Sequence, residues 1–399
     1  MDPADLALVD AFVHYLRRQL GVGEADVVHV SKPARAVPAR AAIVVDTGAG
    51  GWRRTALRLR GLRPQFSGVA RGAGGSSGVP VTIWDRWDRH RVGEPPAGFE
   101  VVAIMTTYNE AGIIDQQLDR MTAAGLHVHM IDNWSTDDTW ERAKAKAAHA
   151  PITLERWPEN GPSRYFSLRG LLTKVEQVAH TCGADWVIHH DADEIHESPW
   201  PDTDMRHALW ALEQWGFNAA DHTGVDFRPV DNRWGSGDDL ATSFEWFEFP
   251  PIPAYFTLVR CWKPQPSPVD LANAGGHDVV FEGRRMFPYK FLIRHYPIRS
   301  QAHGERKILR ERKARFDPAE RAKGWHVHYD HFDEGSSFLW DPSGLHRWEE
   351  IDERYLLQRL SGAGLPGNPR PDEAGPAAAA AVAAGAPAAP GPPPAGGVR

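Results

Sequence analysis

The sequence predicts an α/β protein built on an open, mostly parallel sheet flanked by helices, and three observations lead to that expectation. Residues 99–106 are a nearly continuous apolar run rich in Val and Ile, the pattern of a strand buried on both faces. Strand-like runs then alternate with segments of helical spacing as far as residue 194, which implies right-handed strand–helix–strand crossovers. Finally, the polar clusters at residues 106–110, 132–138 and 191–194 each follow a strand-like run. Ligands of open α/β sheets bind beyond such carboxyl ends.

Residues 4–20 place Leu6, Val9, Phe12, Val13, Leu16 and Leu20 at helical spacing. Short strand-like runs follow at 27–30, 41–45 and 55–59, and the Gly/Ser-rich residues 67–78 read as a flexible loop or linker. Residues 1–98 therefore form an accessory N-terminal α/β region. After the strand at 99–106, residues 110–124 have helical periodicity (Ile113, Ile114, Leu118, Met121) and end at Gly125, a C-cap residue. Residues 126–131 predict a second strand, 135–148 a second helix behind the capping turn Thr136-Asp137-Asp138, 162–180 a third helix and 186–190 a third strand. Residues 201–300 are richer in aromatics and Pro and alternate less regularly. Residues 305–323 hold eight Arg or Lys against four acids, and 346–360 look like one amphipathic helix. From Gly362 onward the chain is almost all Ala, Gly and Pro, a composition that cannot bury enough surface to fold. The expected division is 1–98 accessory, 99–361 main domain and 362–399 disordered tail.

Bulk properties narrow the function classes. The 399 residues are 42% apolar and 24% charged, as in ordinary globular proteins. A net charge of -7 argues against general nucleic-acid binding. No run of about 18 apolar residues predicts a membrane span. The acidic start Met1-Asp2-Pro3-Ala4-Asp5 lacks the marks of a signal peptide. The two cysteines, Cys182 and Cys261, exclude a disulfide framework and suit a reducing compartment, so a cytoplasmic location is expected. The chain also carries 16 Trp, which stack on sugar rings and bases but more often fill cores.

The segment His189-His190-Asp191-Ala192-Asp193-Glu194-Ile195-His196 carries the strongest chemical signal. Two carboxylates one residue apart at a strand end can address one hard divalent cation, Mn²⁺ or Mg²⁺, which commonly bridges to phosphates. A diphosphate leaving group needs such help as charge builds on it. Taken alone the segment also reads as a solvated acidic loop. Met105-Thr106-Thr107-Tyr108-Asn109-Glu110 suits either a base-stacking strand end or a helix cap. Met130-Ile131-Asp132-Asn133-Trp134-Ser135-Thr136-Asp137-Asp138-Thr139 fits either a cap or a ligand loop.

Together, in this order and spacing from Val101 to Glu194, the three segments resemble the GT-A glycosyltransferases of the family 2 type, in a bacterial branch with an Asp-Ala-Asp-Glu motif. The family pattern is a Thr/Ser-Tyr-Asn-Glu strand end, then Asp-Asp-Gly-Ser-Thr-Asp, then Asp-x-Asp. The resemblance implies a GT-A fold and transfer of a sugar from a nucleotide-sugar donor to a carbohydrate or lipid-linked acceptor. It implies inversion, and synthesis of polysaccharide or glycoconjugate on the cytoplasmic side, with peripheral membrane contact allowed. By the same resemblance Thr107, Tyr108, Glu110, Asp132 and Asn133 bind the donor, Asp191 lies near the ribose or sugar, and Asp193 ligates the metal with Asp191. Asn133 departs from the family, which usually has an acid there to hold the base. Arg164, in Gly161-Pro162-Ser163-Arg164, stands where the family often places an Arg near the diphosphate; a helix-start Arg paired with surface acids is the alternative.

Beyond residue 200 the signals weaken. His277 is the candidate third metal ligand or acceptor-site group, with His295 second. An inverting transferase needs a general base, and family 2 enzymes carry an acid well after Asp-x-Asp; Asp278 and Glu245 are the candidates. Glu245 and Glu248 lie in the aromatic stretch Phe244–Phe249, which suits sugar stacking or a buried strand with its acids turned outward. The run from Arg306 to Arg315 could close over a diphosphate or meet an anionic lipid-linked acceptor, although a solvated helix face is the simpler reading. A sugar-nucleotide nucleotidyltransferase would want a Gly-rich basic loop where Tyr108-Asn109-Glu110 stands. A binding module without turnover is the other alternative. Asp46-Thr47-Gly48 lacks the second triplet of an aspartic protease, and Gly48-Ala49-Gly50-Gly51 lacks the full dinucleotide fingerprint.

Overall fold

The computed structural model describes residues 2–31, 41–48, 51–72, 78–250 and 257–365. Most of the Ala/Gly/Pro tail lies outside the described residues. Fourteen strands make two sheets among those residues.

The N-terminal sheet contains β1 (Val27–Val30), β2 (Ile43–Asp46), β3 (Arg63–Ala70) and β4 (Val79–Asp85) in the order β1-β2-β4-β3, with only β1–β2 parallel. Helix α1 (Pro3–Leu20) covers it with Leu8, Val9, Phe12, Val13 and Leu16 buried. Local signals explain its bounds. The Asp2 side chain accepts from the Ala4 N–H, Pro3 needs no helical N–H, Arg17 and Arg18 sit in the last turn, and Gly21 closes at φ 62°. Two expectations are corrected here. The run at 55–59 belongs to helix α2 (Gly51–Leu59), because Ala, Leu and Arg favour a helix, and its Leu57 is buried. Residues 67–70 are strand rather than loop: β3 pairs with β4 through Ala70↔Val79.

The larger sheet is formed by β5 (Val101–Thr107), β6 (His127–Asp132), β7 (Ile152–Arg156), β8 (Trp186–Asp191), β9 (Glu194–Glu197), β10 (Ala219–Phe227), β11 (Trp246–Glu248), β12 (Val259–Trp262), β13 (Phe291–His295) and β14 (His346–Arg347). Its order is β14-β11-β10-β12-β8-β5-β6-β7, with β13 joining β10 to β9. The expected open α/β sheet is the observed one. It is parallel across β8-β5-β6-β7 and antiparallel from β8 through β12 to β14. Helices α3 (Ile114–Ala123), α4 (Thr139–Ala147), α5 (Leu168–Thr181) and α6 (Met205–Gln214) flank it. Every residue of β5 is buried, as its apolar run requires. Gly125 ends the α3 region at φ 73°. Helix α5 starts later than expected, at Leu168, where the Ser167 hydroxyl caps the Gly170 N–H.

The two sheets share one apolar cluster that runs from Phe12 and Val45 to Met105 and Trp186. The buried Tyr289 hydroxyl donates to Asp85 at 2.8 Å across the same boundary. The amphipathic segment 346–360 is not one helix. It is strand β14, then a tight turn, then the short helices Ile351–Arg354 and Leu356–Ser361, the last packed on α1 and β3. The break lies at Tyr355 (φ −115°), whose ring is fixed by a hydroxyl bond to His346 at 2.7 Å.

Candidate functional site

Register brings the three polar segments together. Thr106 of β5 stands opposite both Ile131 of β6 and Asp191 of β8, and Thr107 stands opposite Asp132. The strand ends therefore open at one level, into a cavity of about 290 Å³, at the low end of small-molecule pockets. Two loops there are held at left-handed backbone angles: Asn109 (φ 55°) after β5 and Trp134 (φ 58°) after β6. Asn109 is locked by its N–H to the Ser135 hydroxyl at 2.9 Å and by its side-chain carbonyl, which accepts from the Thr136 N–H at 2.7 Å. The Trp134 indole donates to the Pro158 carbonyl, and Arg156 stacks 4.9 Å from its ring. Over-determined positions of this kind gather at functional sites.

Of the residues expected to bind a donor, Thr107, Tyr108, Glu110, Asn133 and Asp191 line the cavity. The Thr107 hydroxyl is buried with no hydrogen-bond partner among the described residues. The Arg315 guanidinium lies 4.1 Å from the Tyr108 ring centre and donates to Asn133 Oδ1 at 2.8 Å. Asp132 does not reach the cavity. It is fully buried, accepts from the Ser135 N–H and hydroxyl, and faces Arg156 at 3.2 Å, so it braces the loop. Arg164 is exposed, stacks on Tyr165 and also stands away from the lining.

Asp191 presents its carboxylate to the cavity with 38% of the side chain exposed. Burial opposes its ionisation, but Arg260 at 3.3 Å and the Thr106 hydroxyl at 2.7 Å hold its pKa down at about 2. Arg260 also donates to His189 Nδ1 at 2.6 Å. Burial, then Arg260, push His189 down to about 3, so the ring is neutral with its proton on Nε2. Glu194 is pushed up by burial and accepts from the Asp191 N–H.

Asp193 is bound differently. Its Oδ2 accepts from the Lys307 ammonium at 2.7 Å, and the same ammonium donates to Glu110 Oε1 at 2.9 Å. Glu110 is gripped again by Arg299 at 2.5 Å. Both carboxyls lie below their usual range although burial raises them: Arg299 and then Lys307 act on Glu110, Lys307 and then His295 on Asp193. His295 sits 3.7 Å from Asp193 and donates to Asp226 at 2.8 Å. Burial disfavours its charge, yet Asp193 and Asp226 lift its pKa to about 10.

The basic run is a wall of this cavity, not a solvated face. Glu305–Arg312 forms a π-helical turn, a geometry frequent at functional sites. Lys307, Arg312 and Arg315 all line the cavity. Arg312 bonds the Tyr329 hydroxyl, and although burial opposes its charge, Tyr329, Asp193, Glu110 and Asp191 hold it above the usual arginine range. Neither Arg312 nor Arg315 has a carboxylate within 4.0 Å among the described residues.

The expected catalytic and third-ligand residues fare unevenly. His277 and His295 line the cavity. Asp278 and Glu245 do not. Asp278 is ion-paired with Arg284 at 2.5 Å. Glu245 is 65% exposed beside Arg347, because Phe244, Phe247 and Phe249 turn inward and leave the acids outside. Arg260, Asp226 and Tyr329 reach the site from distant segments with no motif to mark them, whereas Lys307, Arg312 and Arg315 belong to the basic run 306–315 that the sequence offers as a cover for a diphosphate. The charge run around Lys307 was the one available signal.

The residues present do not make a cation cage. Among the described residues no group of three or more His, Cys, Asp or Glu side chains is arranged to hold a metal ion. Asp191, Asp193 and His277 share the cavity without forming such a set, and the Asp193 oxygen that would face an ion already carries an ammonium.

No family model matches the chain, and no curated protein matches it. Solved structures do. A Staphylococcus aureus TarS crystal structure matches at 12% identity and TM-score 0.26 over 41% of this chain and 28% of that one. The mannosyltransferase PcManGT from Pyrobaculum calidifontis, in complex with GDP-Man and Mn²⁺, matches at 22% identity and TM-score 0.24 over 37% and 42%. The glucosyl-3-phosphoglycerate synthase from Mycobacterium tuberculosis, with Mn²⁺, UDP and glucosyl-3-phosphoglycerate, matches at 18% identity and TM-score 0.25 over 35% and 48%. This chain thus spans less than half the length of each, and likenesses of this size decide nothing about its chemistry.

Proposed function

We propose that this chain is a glycosyltransferase that moves a sugar from a nucleotide-sugar donor to an acceptor hydroxyl with inversion. One observation carries the reading: three parallel strand ends meet at a single cavity, and one wall of that cavity holds two arginines with no carboxylate within 4.0 Å among the described residues. Guanidiniums that pair only with neutral groups suit a diphosphate, which they can clasp through paired N–H groups. The stack of Arg315 on Tyr108, beside Asn133 and the Thr107 hydroxyl, which has no partner among the described residues, suits a nucleoside. The partly exposed Asp191 carboxylate on the cavity wall supports a contact with the sugar.

In the reaction the anomeric C–O bond to the diphosphate breaks and its electron pair leaves on the phosphate oxygen. The acceptor oxygen forms the new bond, and its proton passes to a carboxylate of the cavity wall. Asp191, Glu194, Asp226 and Glu311 stand there, whereas Asp278 and Glu245 do not. A carbohydrate or lipid-linked acceptor and a role in cytoplasmic polysaccharide or glycoconjugate synthesis belong to the same proposal. No helix among the described residues is long and apolar enough to cross a membrane.

A thermal-shift screen of UDP-, GDP-, TDP- and CMP-sugars tests the reading. A ligand bound only by the fold at about 100 times its Kd stabilises it by roughly 2.7 kcal/mol. At least one donor should raise the melting temperature and should be consumed when an acceptor is supplied. A shift without turnover would indicate a binding module; no shift with any donor would refute the assignment.

A further inference from the structure

We propose that Lys307, seconded by Arg312 and Arg315, is the counter-charge for the leaving diphosphate, in the place where a divalent cation would act. The inference rests on the nucleotide-sugar reading above and concerns how that site handles charge.

The second acid of the Asp-Ala-Asp-Glu segment is the residue a metal would claim first. In this fold Asp193 instead shares the Lys307 ammonium with Glu110, at 2.7 Å and 2.9 Å. All three side chains are at least nine-tenths buried. An ammonium set between two buried carboxylates is held firmly, since neither acid has water to replace it. Its third N–H has no partner among the described residues, while the side chain forms part of the cavity wall. The His295 ring also faces this carboxylate, with Nε2 3.7 Å from Asp193 Oδ2. A divalent ion on that carboxylate would have to expel Lys307 or lie against its ammonium.

The remaining donors do not compensate. The Asp191 oxygens are engaged by Thr106 and Arg260, and no three-residue donor set exists among the described residues. The need for positive charge on the departing diphosphate is met from the same segment, because Arg312 and Arg315 lie one and two turns beyond Lys307 on the same wall. Fixed cations aimed at developing charge act without reorganising during the reaction. When the anomeric C–O bond breaks, the electron pair passes to the diphosphate, and these three groups neutralise it while the acceptor proton goes to a wall carboxylate.

The test uses the full chain, with UDP and GDP as binding probes and the donor found by the screen as substrate. In wild-type protein, calorimetric binding of the nucleotide diphosphate and turnover should be the same within about twofold in EDTA and in Mn²⁺. The electron paramagnetic resonance signal of free Mn²⁺ should not fall when protein and UDP are added together. Lys307→Ala should lose about 100-fold in turnover in EDTA. It should regain part of that in Mn²⁺, because Glu110 and Asp193 are then left as an open acidic pair. Wild-type binding or turnover that needs Mn²⁺ by tenfold or more, or Mn²⁺ taken up with UDP, overturns the proposal and leaves the transferase reading intact. Absence of nucleotide diphosphate binding under both conditions overturns both. The wild-type measurements decide the matter even where the variant does not fold.

Discussion

Glu110→Gln removes one carboxylate from the centre of the charge network and tests whether the Tyr108-Asn109-Glu110 strand end is held as described. Glu110 is the shared anion of Arg299 at 2.5 Å and Lys307 at 2.9 Å, and the three side chains are 5%, 2% and 5% exposed. Coulomb's law with an effective dielectric constant of about 20 gives roughly 6 kcal/mol of gross attraction for each pair. Desolvation of the charges offsets most of that in the intact protein. Breaking a buried pair leaves the cation uncompensated, and such changes cost about 3–5 kcal/mol. Lys307 keeps Asp193 after the substitution, so Arg299 bears most of the loss. Arg299 has His303 Nε2 at 2.9 Å and no second carboxylate within 4.0 Å among the described residues. The expected loss is therefore about 3 kcal/mol, a large share of the roughly 5–15 kcal/mol that holds a domain together. Urea unfolding of wild type, Glu110→Gln, Arg299→Met and the double variant measures it. The cycle should show a coupling of at least about 1 kcal/mol between the two sites. A single-variant loss below about 1 kcal/mol, or additive changes, would refute the network as the brace of this strand end.

Three other outcomes are expected. His189, His190, His196, His222 and His303 are all held below the ordinary histidine range by burial and are neutral in the fold. Their stabilisation is present above the unfolded value near 6.5 and is lost as pH falls, since only the unfolded chain takes up the protons; each adds a slope of up to about 1.4 kcal/mol per pH unit. Urea midpoints should therefore drop steeply from pH 6.5 to 5, and a flat profile would contradict the neutral assignments. Asp85 is pushed up by burial, against its bonds from Tyr289 and Trp87, so its contribution is present at low pH and is lost as pH rises through its folded value. Asp85→Asn should thus gain stability over wild type progressively as pH rises above the ordinary aspartate value of about 4, and a pH-independent difference would exclude titration of this group. Arg315→Met removes the stack on Tyr108 and the bond to Asn133. It should cost about 1 kcal/mol of stability but weaken nucleotide diphosphate binding tenfold or more, by calorimetry. Equal effects on diphosphate and on nucleoside binding would place Arg315 at the base alone.

Much of the architecture was legible because its signals are local. The Val- and Ile-rich apolar run at 99–106 reads as a doubly buried strand, and alternation after it implied parallel order through the handedness of crossovers. Gly125 marked a helix end through its left-handed angle. Ambiguity arose where a short apolar run fits two periods, as at Thr55–Leu59, and where one residue breaks a long period, as at Tyr355. Pairing rescued residues 67–70 from their Gly-rich appearance, because β4 supplies the hydrogen bonds.

The chemistry divides along the same line. Asp191, Asp193, Tyr108 and Asn133 could be placed at one site from the linear order of residues, because side chains at the ends of neighbouring parallel strands must emerge together. Which of them stay open to a ligand depended on partners from far along the chain. Lys307 meets Asp193 across 114 positions and Glu110 across 197. Asp132, though at a strand end, turned inward to Ser135 and Arg156. Charge in a buried site is settled by whatever lies within a few ångströms in space, and no spacing along the backbone encodes that distance.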